Sequence, residues 1–416
     1  MLAAGLAAAS LALIVAPGAR AVGPLIPPRP RSSPSGDQLR LNQIQVIGTH
    51  NSYHLEAARR EEALRGLIDP SGEKALEYSH PALGTQFTSQ HVRQIDLDVW
   101  ADPKGGLYAK PLLRTLTLGG PYDPVMKQPG TKVLHIQDID YHSNCLTFVR
   151  CLTAVKTWSD ANPTHVPIAV LIEFKDTPLS ITGLTAAKVA EVAKAQRAST
   201  PATARHTASA ATTASATAAA LLATPLPWTS ARMDTIDSDI RSVFTPADLI
   251  TPDDVRAGDT TLEDAVLTHG WPTLAQSRGK TLFLMDNTGS YRDSYLAGHP
   301  SLQGRILFTN STPGQPDAAF VEENDPTGTN QARIQNEVRE GYVVRTRADA
   351  DTVQARSNDT STRDAALASG AQWVSTDYPT PSDSARFGTT YSVQIPGTAR
   401  CNPINAPTTC TTITTP

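Results

Sequence analysis

Short apolar runs recur along this chain at 44–48, 94–99, 132–137, 168–174, 281–286, 305–309, 341–346 and 371–376, with helical or loop-like stretches between them. Runs of this length, separated by helix-length connections, predict βα units and a parallel sheet. Eight of them predict an α/β fold, a TIM-type (β/α)8 barrel with some distortion. The connections 55–68 and 331–340 carry the Ala, Leu, Glu and Arg content of helices. The short link between 286 and 305 is the weakest in the series.

Parity within the runs sorts their polar residues. Alternate residues of a strand share a face. Ile95, Leu97 and Val99 are therefore expected to pack outward, with Asp96 and Asp98 toward the barrel axis. By the same rule His135 opposes Leu134 and Ile136, Glu173 and Lys175 oppose Ile172 and Phe174, and Arg345 and Arg347 oppose Val344. The C-terminal end of a parallel barrel is its functional mouth, so these groups are expected to converge there. Two carboxylates on one face need a cation or a shared proton. Gly48-Thr49-His50-Asn51-Ser52-Tyr53 directly follows the first run and sets a proton-transfer group beside oxygen ligands suited to a hard cation. That combination is phosphodiester chemistry.

Composition narrows the setting. A barrel needs roughly 250 residues, so the 416 present allow one large domain with insertions. Lys and Arg total 36 against 40 Asp and Glu, a net charge of -4, and no broad positive field argues for nucleic acid. Residues 2–16 are almost wholly apolar, Pro17 breaks the run, and Ala19-Arg20-Ala21 has the small-x-small spacing of a cleavage site. The run is too short to span a bilayer. We read 1–21 as a signal peptide, 22–40 as a Pro-rich leader, 41–381 as the barrel domain and 382–416 as a C-terminal extension, with the tail past 405 peripheral. Residues 199–220, rich in Ala, Thr and Ser, read as a solvated low-complexity insertion between strands four and five. Four cysteines agree with export: Cys145 and Cys151 are close, as are Cys401 and Cys410, and neither pair has the partners of a zinc site. Two local disulfides are the simplest of three connectivities.

GTHNSY at 48–53, QIDLDVW at 94–100, the His of VLHIQD and the Glu of VLIEFKD resemble, in that order, the X-region of phosphoinositide-specific phospholipase C and its secreted, calcium-dependent bacterial branch. WPTL at 271–274, TLFLMDN, VVRTRAD and STDYP resemble the same family more loosely. The resemblance implies His50 and His135 as catalytic histidines, and Asn51, Asp96, Asp98 and Glu173 as ligands of Ca2+. Oxygen donors of this kind suit a hard cation and disfavour zinc. Lys175 and Arg345 are candidate contacts to substrate phosphate or inositol hydroxyls, with ion pairs inside the barrel mouth as the alternative. Asp286 and Asp377 end their strands where polyol-binding carboxylates would sit.

The eukaryotic relatives read Glu-x-Asp where this chain has Asp96-x-Asp98, which shortens the first carboxylate and leaves the general base open between Asp96 and His50. The expected substrate is phosphatidylinositol or a related inositol phosphodiester, met transiently at a membrane surface by a secreted monomer. A glycerophosphodiester or sphingomyelinase-D-like phosphodiesterase would share the acid pair, but those families follow their first His with Arg or Thr in place of Asn51. A non-catalytic headgroup-binding protein would have no need of both histidines.

Overall fold

The computed structural model describes residues 36–68, 70–179 and 222–413. The signal peptide, most of the leader and the 199–220 insertion lie outside the described residues.

The strands are β1 (Ile44–Thr49), β2 (Gln94–Trp100), β3 (Lys132–Val133), β4 (Ile168–Lys175), β5 (Thr281–Met285), β6 (Leu307–Thr309), β7 (Phe320–Glu322), β8 (Val343–Arg347), β9 (Trp373–Thr376) and β10 (Arg400–Cys401). Eight of them run in the order β6-β5-β4-β2-β1-β9-β8-β7, with every pair of neighbours in that order parallel. The two ends meet at a single parallel bridge, Asn310↔Phe320, so the barrel is nearly closed. The Asn310 side chain stitches this seam, donating to the Asp286 carbonyl at 2.8 Å and accepting from Glu322 N at 3.1 Å.

The expected barrel class is therefore observed, but its membership differs by one strand. Only Lys132 and Val133 of the 132–137 run form a strand, and they lie antiparallel to Trp100 and Val99. The buried Lys132 ammonium is held by the Gln128 and Gly130 carbonyls at 2.6 and 2.7 Å, and Ile136 and Asp140 then bond reciprocally at 2.9 Å, turning the chain before it can extend. The eighth barrel strand is instead β7, three residues long, whose apolar run is too brief for alternation to mark it. The weak link after β5 does hold a helix, Ser290–Leu296.

Outward-facing Ile95, Leu97 and Val99 join one buried cluster with Phe148, Leu152 and Val155 of the helix Phe148–Ala161. Leu39 is buried at the foot of the barrel, and Arg40 bridges to Thr273, so the last residues of the leader belong to the body. The tail also packs: β10 pairs with β1, Cys401 is bridged to Cys410, and Ile413 is buried. The second disulfide joins Cys145 to Cys151. Between the anchors of the tail the described residues past 405 are mostly exposed, Pro407, Thr408, Thr409, Thr411 and Thr412 among them.

Gly48 sits opposite Gln94 in the β1–β2 register, and a Cβ at this position would lie 1.9 Å from Gln94 Oε1 and 2.9 Å from Gln94 Cβ. Overpacking of this kind typically costs about 1–3 kcal/mol. Gly48→Ala should lower stability by about that much in urea unfolding, and Gln94→Ala should recover part of the loss in the double variant.

Candidate active site

The turn after β1 is tied to β2 by short hydrogen bonds. Ser52 N donates to the Asp96 carbonyl at 3.0 Å and Ser52 Oγ accepts from Asp96 N at 2.8 Å, while Thr49 Oγ1 reaches Gln86 Oε1 at 2.7 Å. Asn51 takes the left-handed region with φ 45°, a conformation Asn tolerates better than most residues. Its buried side chain accepts from Tyr53 Oη at 3.2 Å and donates to Tyr78 Oη at 3.1 Å, and its backbone N–H lies 3.4 Å from Asp96 Oδ2.

Asp96 and Asp98 are buried on the barrel axis, as parity predicts. Asp98 pairs with Glu173 in the β2–β4 register, and Trp100 with Lys175. Lys175 Nζ lies 2.5 Å from Glu173 Oε1 and 3.2 Å from Asp98 Oδ2. Arg345, buried on β8, bonds Glu322 Oε1 at 2.6 Å, also bonds Asn324, and lies 3.9 Å from Asp96 Oδ2. Lys175 and Arg345 are thus placed first as counter-ions of the axial carboxylates. Burial pushes Asp96 up to about 7, against the pull of Arg345. Burial likewise pushes Asp98 well above the usual carboxylate range despite Lys175.

The donor set fits a hard cation. Asp96 Oδ1 and Asp98 Oδ1 are buried without hydrogen-bond partners, and Asp98 Oδ2 has only the Lys175 ion pair at 3.2 Å, beside the Asn51 amide and Glu173. Orphaned buried oxygens of this kind call for a proton or a metal. Among the described residues no group of three or more His, Cys, Asp or Glu is already gathered in ligating geometry, and Lys175 stands between Asp98 and Glu173.

Each of the two histidines is backed by a carboxylate. His50 follows β1 and donates from Nδ1 to Asp377 Oδ1 at 3.0 Å, just past β9. Arg347 Nη2 lies 3.7 Å from the other Asp377 oxygen. Burial, then the Arg347 charge, hold His50 down at about 3 although Asp377 pulls the other way. Burial alone would raise Asp377, but His50 and Arg347 outweigh it and hold it at about 2. A neutral imidazole with Nδ1–H committed to a carboxylate keeps its Nε2 lone pair for a substrate proton.

His135 donates from Nδ1 to Asp140 Oδ2 at 2.8 Å. Asp140 is fully buried and also accepts from His54 Nε2 at 3.0 Å and Arg65 at 2.6 Å. Burial opposes its ionisation, but His54 and His135 outweigh burial and hold Asp140 well below the ordinary range. His135 stands on a loop, not on the barrel strand that the sequence predicts. The two histidine sites are linked by packed rings: His50 and Tyr78 at 6.5 Å, Tyr78 and His54 at 4.5 Å, His54 and His135 at 6.2 Å.

An open cleft of 370 Å3 lies at the same end, lined by Asp286, Asn287, Tyr291, Asn310, Glu322 and Asn324. Burial, then Glu322, push Asp286 well above the usual carboxylate range. Sequence reasoning missed Asp140, Glu322 and the pairing of Asp377 with His50. Asp140 carries one legible signal, lying five residues beyond His135 in HIQDID; Glu322 carries none, because its strand is too short to be recognised.

The family model described as phosphoinositide phospholipase C, Ca2+-dependent, matches residues 39–198 and 188–403. Among solved structures, the chain is similar to a calcium-dependent phosphoinositol-specific phospholipase C from a Pseudomonas species, seen with myoinositol, at 14% identity over 88% of this chain and 96% of that one, with a TM-score of 0.47. It is also similar to a Ca2+-dependent phosphatidylinositol-specific phospholipase C from Streptomyces antibioticus, at 17% identity over 82% and 95% of the two chains, with a TM-score of 0.45. The enzyme from Listeria monocytogenes aligns at 11% identity over 83% and 91%, with a TM-score of 0.39. No curated protein matches the chain. With the family match covering both halves of the barrel, the chain belongs to the Ca2+-dependent phosphoinositide phospholipase C family and is a phosphoric diester hydrolase.

Proposed function

We propose that this protein is a secreted enzyme that cleaves the phosphodiester of phosphatidylinositol, or of a closely related inositol lipid, releasing diacylglycerol and an inositol phosphate. The observation that carries the reading is the pair of carboxylate-backed histidines around the Asp96, Asp98 and Glu173 cluster. His50 removes the proton from the attacking inositol hydroxyl through Nε2, with Asp377 fixing the tautomer and stabilising the imidazolium that forms. His135, oriented by Asp140, delivers a proton to the departing glycerol oxygen. Asp96, lifted by burial to about 7, is the alternative base.

Asn51, Asp96, Asp98 and Glu173 would hold Ca2+, which supplies positive charge to the phosphoryl oxygens and lowers the pKa of a coordinated hydroxyl. Lys175 and Arg345 keep the carboxylates from repelling one another, and Lys175, the more exposed, contacts phosphate once the cation takes over that charge. The polar cleft of Asp286, Glu322, Asn310 and Asn324 receives the inositol ring. The two disulfides support an oxidising, extracytoplasmic location.

Excess chelator should abolish phosphatidylinositol cleavage, and Asp98→Asn should weaken both calcium affinity by calorimetry and turnover; full wild-type activity in chelator would remove calcium from the proposal. Replacing His50 or His135 by Ala should cut the rate by roughly two to four orders of magnitude, with calcium affinity nearly unchanged. A nitrophenyl inositol phosphodiester, whose leaving group needs no proton, should restore the His135→Ala rate and leave His50→Ala slow. Asp140→Asn should follow His135→Ala in that rescue, since Asp140 acts through His135; a rate loss without rescue would assign Asp140 to folding alone.

A further inference from the structure

The helix Arg59–Ile68, on the connection from β1 to β2, turns one face to the loop that carries His135. Glu61, Leu64 and Arg65 are buried on that face. Leu64 shares an apolar cluster with Leu134 and Tyr141, and Glu61 accepts from Tyr141 Oη and His142 Nε2. Arg65 donates from Nη1 to Asp140 Oδ1 at 2.6 Å and from Nε to Glu73 Oε2 at 2.5 Å. The helix thus delivers a permanent positive charge to the carboxylate that backs His135.

That charge is shared. Asp140 accepts from His135 Nδ1 at 2.8 Å and His54 Nε2 at 3.0 Å on one oxygen, with Arg65 on the other. Because Arg65 also serves Glu73, one guanidinium answers two carboxylates. Among the described residues the remaining groups nearby bring Asp140 no further fixed cation. Burial pushes the Tyr78 phenol well above its ordinary range, so it is neutral. Asp138, on the same loop, accepts from the backbone N–H groups of Leu112 and Ala223, while Tyr141 and His142 are turned to Glu61. Glu62 is engaged with Glu56, and Arg347 with Asp377.

A carboxylate bonded to an imidazole tightens its hold on a proton, and a cation on the same carboxylate loosens it, since each acts on the charged form of the ring. A general acid must release its proton as the leaving oxygen develops charge, so its strength matters as much as its place. Arg65 draws on the Asp140 charge from one side, and Glu73 draws on Arg65. The two therefore bias the His135 proton in opposite directions.

We propose that Arg65 sets the acid strength of His135 through Asp140, with Glu73 as the counterweight. Arg65 is a positioning residue, acting on the reaction only by way of the Asp140 carboxylate. The assignment rests on the reading of His135 as the group that protonates the leaving oxygen, and it adds what loosens that proton.

The test compares Arg65→Gln, Arg65→Lys and Glu73→Gln in the presence of calcium. Three readouts are taken: the pH dependence of kcat/KM on phosphatidylinositol, turnover of a nitrophenyl inositol phosphodiester, and 15N NMR titration of the His135 ring. Arg65→Gln should move the alkaline limb and the ring titration up by roughly one pH unit. It should slow phosphatidylinositol cleavage several-fold and leave the nitrophenyl rate at the wild-type level. Glu73→Gln leaves Arg65 to Asp140 alone and should move both titrations down. Arg65→Lys keeps the charge and should restore most of the alkaline limb. In an Asp140→Asn background neither Arg65→Gln nor Glu73→Gln should move it. A purely structural role would slow both substrates alike and would give no shifts of opposite sign. Shifts of one sign in Arg65→Gln and Glu73→Gln, or none, overturn the proposal while leaving the enzymatic reading intact. If Arg65→Gln fails to fold, the sign of the Glu73→Gln shift decides. Opposite ring shifts in a protein that cleaves no inositol phosphodiester would uphold the charge coupling and refute the enzymatic reading.

Discussion

Two carboxylates on the inner face of one strand, Asp96 and Asp98, set the terms for the rest of the barrel. An unpaired buried charge costs several kcal/mol, so strands that bring cations to the axis must lie near β2. Register puts Lys175 of β4 beside Trp100, from where its ammonium reaches Asp98 and Glu173. Arg345 comes from β8 and links Asp96 to Glu322, an acid from the short strand that nearly closes the sheet. The compensation is incomplete, since burial still lifts Asp96 to about 7 and Asp98 well above the usual carboxylate range. This residual affinity for positive charge is what a divalent cation would answer in catalysis.

The histidines show a second level of the same economy. An imidazole is useful in proton transfer when its tautomer is settled, and here each ring is settled by a buried anion that burial alone would neutralise. Asp377 stays ionised because His50 and Arg347 surround it, and Asp140 because His54, His135 and Arg65 do. Tyr78 lies between the rings of His50 and His54 and also bonds Asn51, so the first turn of the mouth is packed against both histidine sites.

The mouth-end connections have different work from the strands. Strands β1, β2, β4, β8 and β9 place charge with a precision set by hydrogen-bond register, whereas the chain after β3 turns at Ile136 and Asp140 and sets His135 on a loop against Asp140. The cleft at Asp286, Glu322 and Asn324 lies at the seam, where a single bridge between β6 and β7 leaves room for a ligand between strand ends.

Much of this was legible in one dimension. Alternation in QIDLDVW put Asp96 and Asp98 on the axis, because the side-chain period of a strand is two and does not depend on its neighbours. The eight apolar runs gave the barrel class and seven of its strands, and the GTHNSY and DLD motifs marked the chemistry. Tertiary structure alone decided the partners. Asp377 meets His50 across 327 positions and Glu322 meets Arg345 across 23, contacts created by strand order, which local periodicity does not encode. Tertiary structure also decided that 132–137 turns away and that three residues at 320–322 take its place. A strand that short has too few alternations to be read, and only pairing with β8 makes it a strand.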